Sequence, residues 1–201
     1  DESENIRALG LRIARRHQLP VEPVVRQLVC DKSALVRREC AVSLHRLTSA
    51  GSVQLWTELA AQYDGKDRWY LEALGIGEKG KETACLNAWL KKTRDTWKTA
   101  AGRDIIWRSR SPEAAALLAK LLLSSSVPVA EHPRLLRALD FHEDKPKEAA
   151  LTALLEGDAK RSPATYLEAF QRATPNFLKK HPKILKRVES AMLASKGTVT
   201  F

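Results

Sequence analysis

The sequence predicts an all-α protein, an α–α superhelix of about six antiparallel helix pairs spanning 1–201 as one domain. Three observations predict it. Apolar residues recur at spacings of three and four, and no segment reads as a convincing strand. Helix-start signals, a capping Ser or Asp and a Pro at the first helical position, recur along the chain. The first helices of the pairs begin near Glu4, Ala34, Asp67, Trp97, His132 and Pro163, a spacing of roughly 30–35 residues that marks a helical repeat array. In such an array each pair buries its apolar face only against its neighbours.

The first helix is expected over Glu4–His17, with Ser3 as N-cap and Ile6, Leu9 and Ile13 as its inner stripe. Pro20 stops it, and Val21–Cys30 forms its partner. Asp31 is read as the cap of the next helix, whose inner face is Val36, Cys40, Leu44 and Leu47. Aligning Ile6-Arg7 with Val36-Arg37 sets Gly10 over Cys40 and Leu11 over Ala41, one repeat seen twice, with small residues where helices approach closely. Val53–Tyr63 closes the second pair. Asp67 caps Arg68–Glu78, which ends at Gly80.

Glu82–Lys92 follows, with Leu86, Trp89 and Leu90 apolar, and then a helix over Thr96–Arg108. Ser111-Pro112-Glu113 opens a helix carrying Leu117, Leu118, Leu121 and Leu122. Pro133–Phe141 and Lys147–Glu156 form the fifth pair. Ser162-Pro163 opens a helix with Tyr166, Leu167 and Phe170 inward, broken by Pro175. His181-Pro182 opens the last helix, with Ile184, Leu185, Val188 and Met192, and 196–201 read as a frayed tail.

Composition bounds the function. Apolar residues make up 44% and charged residues 29%, an ordinary globular balance that argues against disorder. No run of apolar residues is long enough to span a membrane. The net charge is +10, which raises the prior for an acidic partner such as nucleic acid, although the excess is spread along the chain. The densest basic stretch, Lys179 to Arg187, reads as a solvated face. The opening Asp1-Glu2-Ser3-Glu4 reads as a cut from a longer chain. Cys30, Cys40 and Cys85 lack metal or haem spacing, and Cys40 and Cys85 read as small buried hydrophobes. A Cys30–Cys40 disulfide is possible on spacing but unsupported.

Gly75-Ile76-Gly77-Glu78-Lys79-Gly80 matches a dinucleotide-binding pattern, which needs a strand before it and a helix after it. Trp69–Leu74 reads as helix, so the glycines are expected at a helix end. The five histidines show no metal-ligand spacing, and no nucleophile motif is present. Trp97, Arg103, Asp104, Trp107, Arg108 and Arg110 form the one group with chemistry to weigh. Aromatics beside Arg, with one carboxylate, could stack on nucleic acid and hold a cation near an acid, as in helical-repeat DNA glycosylases. The plainer reading makes Trp107 core, pairs Asp104 with Arg103 or Arg108, and leaves the rest solvated.

Asp31-Lys32-Ser33-Ala34-Leu35-Val36-Arg37-Arg38-Glu39-Cys40-Ala41 resembles the helix opening of a bacterial HEAT repeat. The segment from Tyr63-Asp64-Gly65-Lys66-Asp67-Arg68-Trp69-Tyr70 through Gly77 resembles the HEAT-like region of large exported planctomycete-type proteins. Those proteins join a membrane-bound-dehydrogenase-like domain, a helical-repeat region and a cytochrome c domain. The resemblance implies a non-catalytic spacer, periplasmic or exported, whose partners are proteins or flanking domains of its own chain. It carries over no catalytic, metal or cofactor residue, because Cys-x-x-Cys-His is absent; no cofactor is expected in this stretch.

Overall fold

The computed structural model describes residues 2–157 and 162–194, with the backbone alone for 189–194. The expected tail at 196–201 and the side chain of Met192 lie outside the described residues. The described residues hold thirteen α-helices and three short 3-10 turns joined by loops, with no strand among them. They fall into two compact units, Asp1–Ala114 and Ala115–Phe201.

In the first unit the helices are α1 (Glu4–Arg16), α2 (Glu22–Leu28), α3 (Ala34–Ser43), α4 (Ala50–Ala61), α5 (Arg68–Gly77), α6 (Glu82–Thr93) and α7 (Ala100–Arg108). The helix α8 (Pro112–Leu123) starts at its end and continues into the second unit. The odd helices pack in series: α1 on α3, α3 on α5, α5 on α7. The even helices do the same, α2 on α4 and α4 on α6, while α3 also meets α2 and α4. Between the rows lie Leu11, Val36, Leu44, Trp56, Leu74 and Leu86, all buried. Trp56 also donates its indole N–H to the Leu74 carbonyl at 2.8 Å, so a large apolar side chain carries no unmet donor there.

Adjacent odd helices are laced at their flanks. Arg12 and Arg15 of α1 both pair with Glu39 of α3, at 2.6 and 2.8 Å. Arg38 of α3 reaches Asp67, the cap of α5. Gly77 lets α5 close on α3, since a Cβ there would lie 2.4 Å from the Ala41 carbonyl oxygen.

The second unit holds α9 (His132–Ala138), α10 (Asp144–Glu156), α11 (Pro163–Phe170), α12 (Pro175–Lys180) and α13 (Pro182–Ala194). Here α11 packs on α9 and α10, and α13 on α10 and α12. Leu135, Leu136, Leu151, Leu155, Phe177 and Ile184 are among its buried side chains.

Several expectations are corrected. On α1, Ala8, Leu11 and Ala14 are buried, while Ile6, Leu9 and Ile13 are 54%, 50% and 46% exposed. The helix has two apolar arcs, and the smaller-residue one is the one buried. Asp31 does not cap α3. Ser33 is the N-cap, and Asp31 holds the Ser33 N–H and the Arg7 guanidinium instead. The span Thr96–Arg108 is split into a 3-10 turn, Arg94–Lys98, and α7, because Thr99 takes an extended conformation and caps α7 through Gly102 N–H. Pro175 does not break a helix but begins one: α11 has already ended at Phe170, and Thr174 caps α12 with Pro175 at its first position. Leu167 is exposed, and the inward residues of α11 are Thr165 and Ala169. All three cysteines are free thiols; Cys40 and Cys85 are buried, and burial pushes both up to about 12.

Candidate functional site

The densest polar chemistry of the first unit lies where α5 meets α7. Asp67 caps α5 by accepting the N–H groups of Trp69 and Tyr70. This sets Arg68 and Glu72 one turn apart on the flank facing α7. Glu72 takes Arg68 at 2.6 Å and Arg108 of α7 at 2.8 Å. Burial pushes the Glu72 carboxyl up, but the two guanidinium hydrogen bonds outweigh it and hold it below the ordinary carboxylate range. Gly75 leaves open the space in which the Arg108 side chain lies against α5. A Cβ at Gly75 would stand 2.1 Å from the guanidinium carbon.

Of the six residues singled out in the sequence, Trp107, Arg108 and Arg110 gather at the C-terminal end of α7. The Arg68 guanidinium lies 5.1 Å from the centre of the Trp107 ring. Arg110 donates to the carbonyls of Trp107, Arg108 and Ser109, closing a helix end that would otherwise leave acceptors unmet. Burial lowers the Arg110 pKa. Arg103 donates to the Lys98 carbonyl at 2.8 Å, and Asp104 accepts from the Tyr63 hydroxyl at 3.1 Å. Trp97 stands apart on the 3-10 turn, with the Lys98 ammonium over its ring. The Tyr63 partner of Asp104 comes from 41 positions earlier in the chain.

Sequence reasoning missed Glu78 and Lys81. Both sit among glycines and charges that read as an exposed helix end, yet both are buried. Glu78 is 2% exposed. It accepts long hydrogen bonds from Ser109 Oγ and the Arg110 N–H, and burial pushes its carboxyl up to about 8. Lys81 donates its ammonium to the carbonyls of Leu44 and Gly77, the C-terminal ends of α3 and α5, at 2.8 and 2.5 Å. The glycine pattern at 75–80 is thus a helix end built for close packing, with Gly80 in the left-handed region at φ 87°.

Beside Glu78, a cavity of about 10 Å³ is lined by Trp56, Leu71, Gly75, Ile105 and Arg108 among others. That is room for about one water molecule. The seam is chemically a joint, in which each cation is set against a carboxylate, a carbonyl or a ring of the same chain. Among the described residues, no group of three or more His, Cys, Asp and Glu side chains is placed to hold a metal, and no helix is long and apolar enough to cross a membrane.

No family model, no curated protein and no solved structure matches this chain.

Proposed function

We propose that the chain is a non-catalytic α-solenoid scaffold of HEAT-like helix pairs that positions partner proteins or neighbouring domains. The observation that carries this reading is the serial packing of α1–α3–α5–α7 beside α2–α4–α6. A row built in this way exposes long continuous faces. The docking face is the row of even helices, α4 and α6 with the start of α8. The sequence resemblance adds the setting, a larger exported dehydrogenase–cytochrome c-like protein. Cross-linking mass spectrometry on the native protein from its source tests the docking face. Cross-links from another domain or protein onto α4 and α6 support it, and cross-links confined to other surfaces overturn it. The intact mass and visible spectrum of the same sample test the setting: covalent haem bands are expected, and a bare 22.5 kDa chain contradicts it.

The second reading, a nucleic-acid-binding solenoid or repair glycosylase using Trp97, Arg103, Asp104, Trp107, Arg108 and Arg110, rests on the +10 charge. The internal pairing of those side chains weighs against it. It requires DNA affinity that falls steeply with salt.

A further inference from the structure

The outer face of α1 joins two oddities. Its exposed apolar side chains, Ile6, Leu9 and Ile13, form one stripe at helical spacing. The third and seventh residues of α3, α5 and α7 are buried, whereas the same positions of α1, Ile6 and Gly10, are exposed. Gly10 is the second oddity. A Cβ added at Gly51, Gly75, Gly77 or Gly102 would meet another group within 2.4 Å, so each of those helical glycines makes room for something. A Cβ at Gly10 would meet nothing within 4 Å. Glycine inside a helix is less stable than alanine, and nothing among the described residues uses the gap.

We infer that the α1 face is a self-association surface, on which a second copy of this chain packs with its α1 antiparallel. The stripe is self-complementary about one point, the midpoint between Leu9 and Gly10. An antiparallel copy brings Ile6 against Ile13 and inserts Leu9 over the open backbone at Gly10, twice, as a two-fold contact requires. The rim charges obey the same symmetry. Exposed Glu2 lies at the N-terminal end of the stripe and exposed Arg16 at the other, whereas Glu4 is held by Ser33, and Arg12 and Arg15 by Glu39, within the same chain. The antiparallel arrangement therefore sets acid against base at both ends, and opposes the two helix dipoles favourably. One helix face per copy is small beside a standard interface of roughly 800 Å² per partner, so the dimer forms at high protein concentration. This inference stands on α1 alone and does not depend on what the even helices bind.

Sedimentation equilibrium of the 201-residue chain, from roughly 1 to 500 µM in low salt, reads it directly. The mean mass is expected to rise from 22.5 kDa toward twice that value. Leu9→Glu, at an exposed position, abolishes the rise and leaves the far-UV spectrum and unfolding midpoint unchanged. Gly10→Ala weakens association about tenfold or more, by filling the notch while favouring the helix. Glu2→Arg and Arg16→Glu each weaken it, and combining them in one chain restores it. A mass fixed at 22.5 kDa across the range overturns the inference and gives the face to a helix outside this chain. A dimer indifferent to Leu9→Glu, or one the double charge swap does not restore, overturns it equally.

Discussion

Helices α1 and α5 start from similar sequence and end in opposite surroundings. Both are amphipathic, and both carry glycine within their apolar residues. In α5, Tyr70, Leu71 and Leu74 are buried, and Gly77 takes the Ala41 carbonyl. In α1, Ile6, Leu9 and Ile13 face outward and Gly10 meets nothing. The difference teaches that amphipathic spacing fixes which arc of a helix is apolar, while its neighbours decide whether that arc is covered.

The comparison breaks most visibly at the covered end. Trp56 is buried against α5 and hydrogen-bonded to Leu74, so Trp56→Ala leaves a large cavity and removes one of the hydrogen bonds to the Leu74 carbonyl. Equilibrium denaturation should show a loss of about 3–5 kcal/mol. If Trp56→Ala costs no more than a surface change, α4 and α5 do not pack as described.

A single substitution type then sharpens the contrast, because its sign should invert between the two helices. Gly77→Ala forces a Cβ onto backbone that cannot rotate away, and should destabilise by about 1–3 kcal/mol. Gly10→Ala at low protein concentration, where the chain is monomeric, should stabilise by up to about 1 kcal/mol through helix propensity alone. Equal effects of the two would erase the distinction.

Glu78 gives the covered region a pH signature. Its folded carboxyl titrates near 8, because burial outweighs the Arg110 N–H and the charges of Arg108 and Arg110, while Glu82 pushes the same way as burial. A carboxyl raised in the folded state binds more protons there than in the unfolded chain. Its contribution is therefore fully present below the ordinary Glu range and is lost as pH rises toward 8. Glu78→Gln should flatten the fall in unfolding midpoint between pH 5 and pH 8, measured by calorimetry. An unchanged slope would mean that Glu78 is ionised in the fold.

Much of this architecture was legible in the sequence. The starts expected near Glu4, Ala34, Asp67, Trp97, His132 and Pro163 fall within three residues of α1, α3, α5, α7, α9 and α11, because caps and prolines are local chemistry. The break at Thr99 and the extra helix at Pro175 were not, since the same capping residues that begin a helix also interrupt one. The polar seam was half legible. Trp107, Arg108 and Arg110 stood out by type, but Glu72, Glu78 and Lys81 sit where periodicity reads solvent. What buries or pairs them, α7 and the end of α3, arrives from some 30 residues away. The second reading drew on the same blind spot, because a cation in a sequence shows its charge and not its partner.

Arg108 separates the two readings most directly, and thermal unfolding and DNA-binding anisotropy of wild type and Arg108→Ala should be measured side by side. The account predicts that the variant unfolds about 2–4 °C lower, through loss of the Glu72 pair and of the contact over Gly75. It also predicts that neither protein binds single- or double-stranded DNA in 50 mM salt. A wild type that binds, together with a variant that loses that binding while unfolding at the same temperature, would contradict the account and turn the seam from a joint into a binding site.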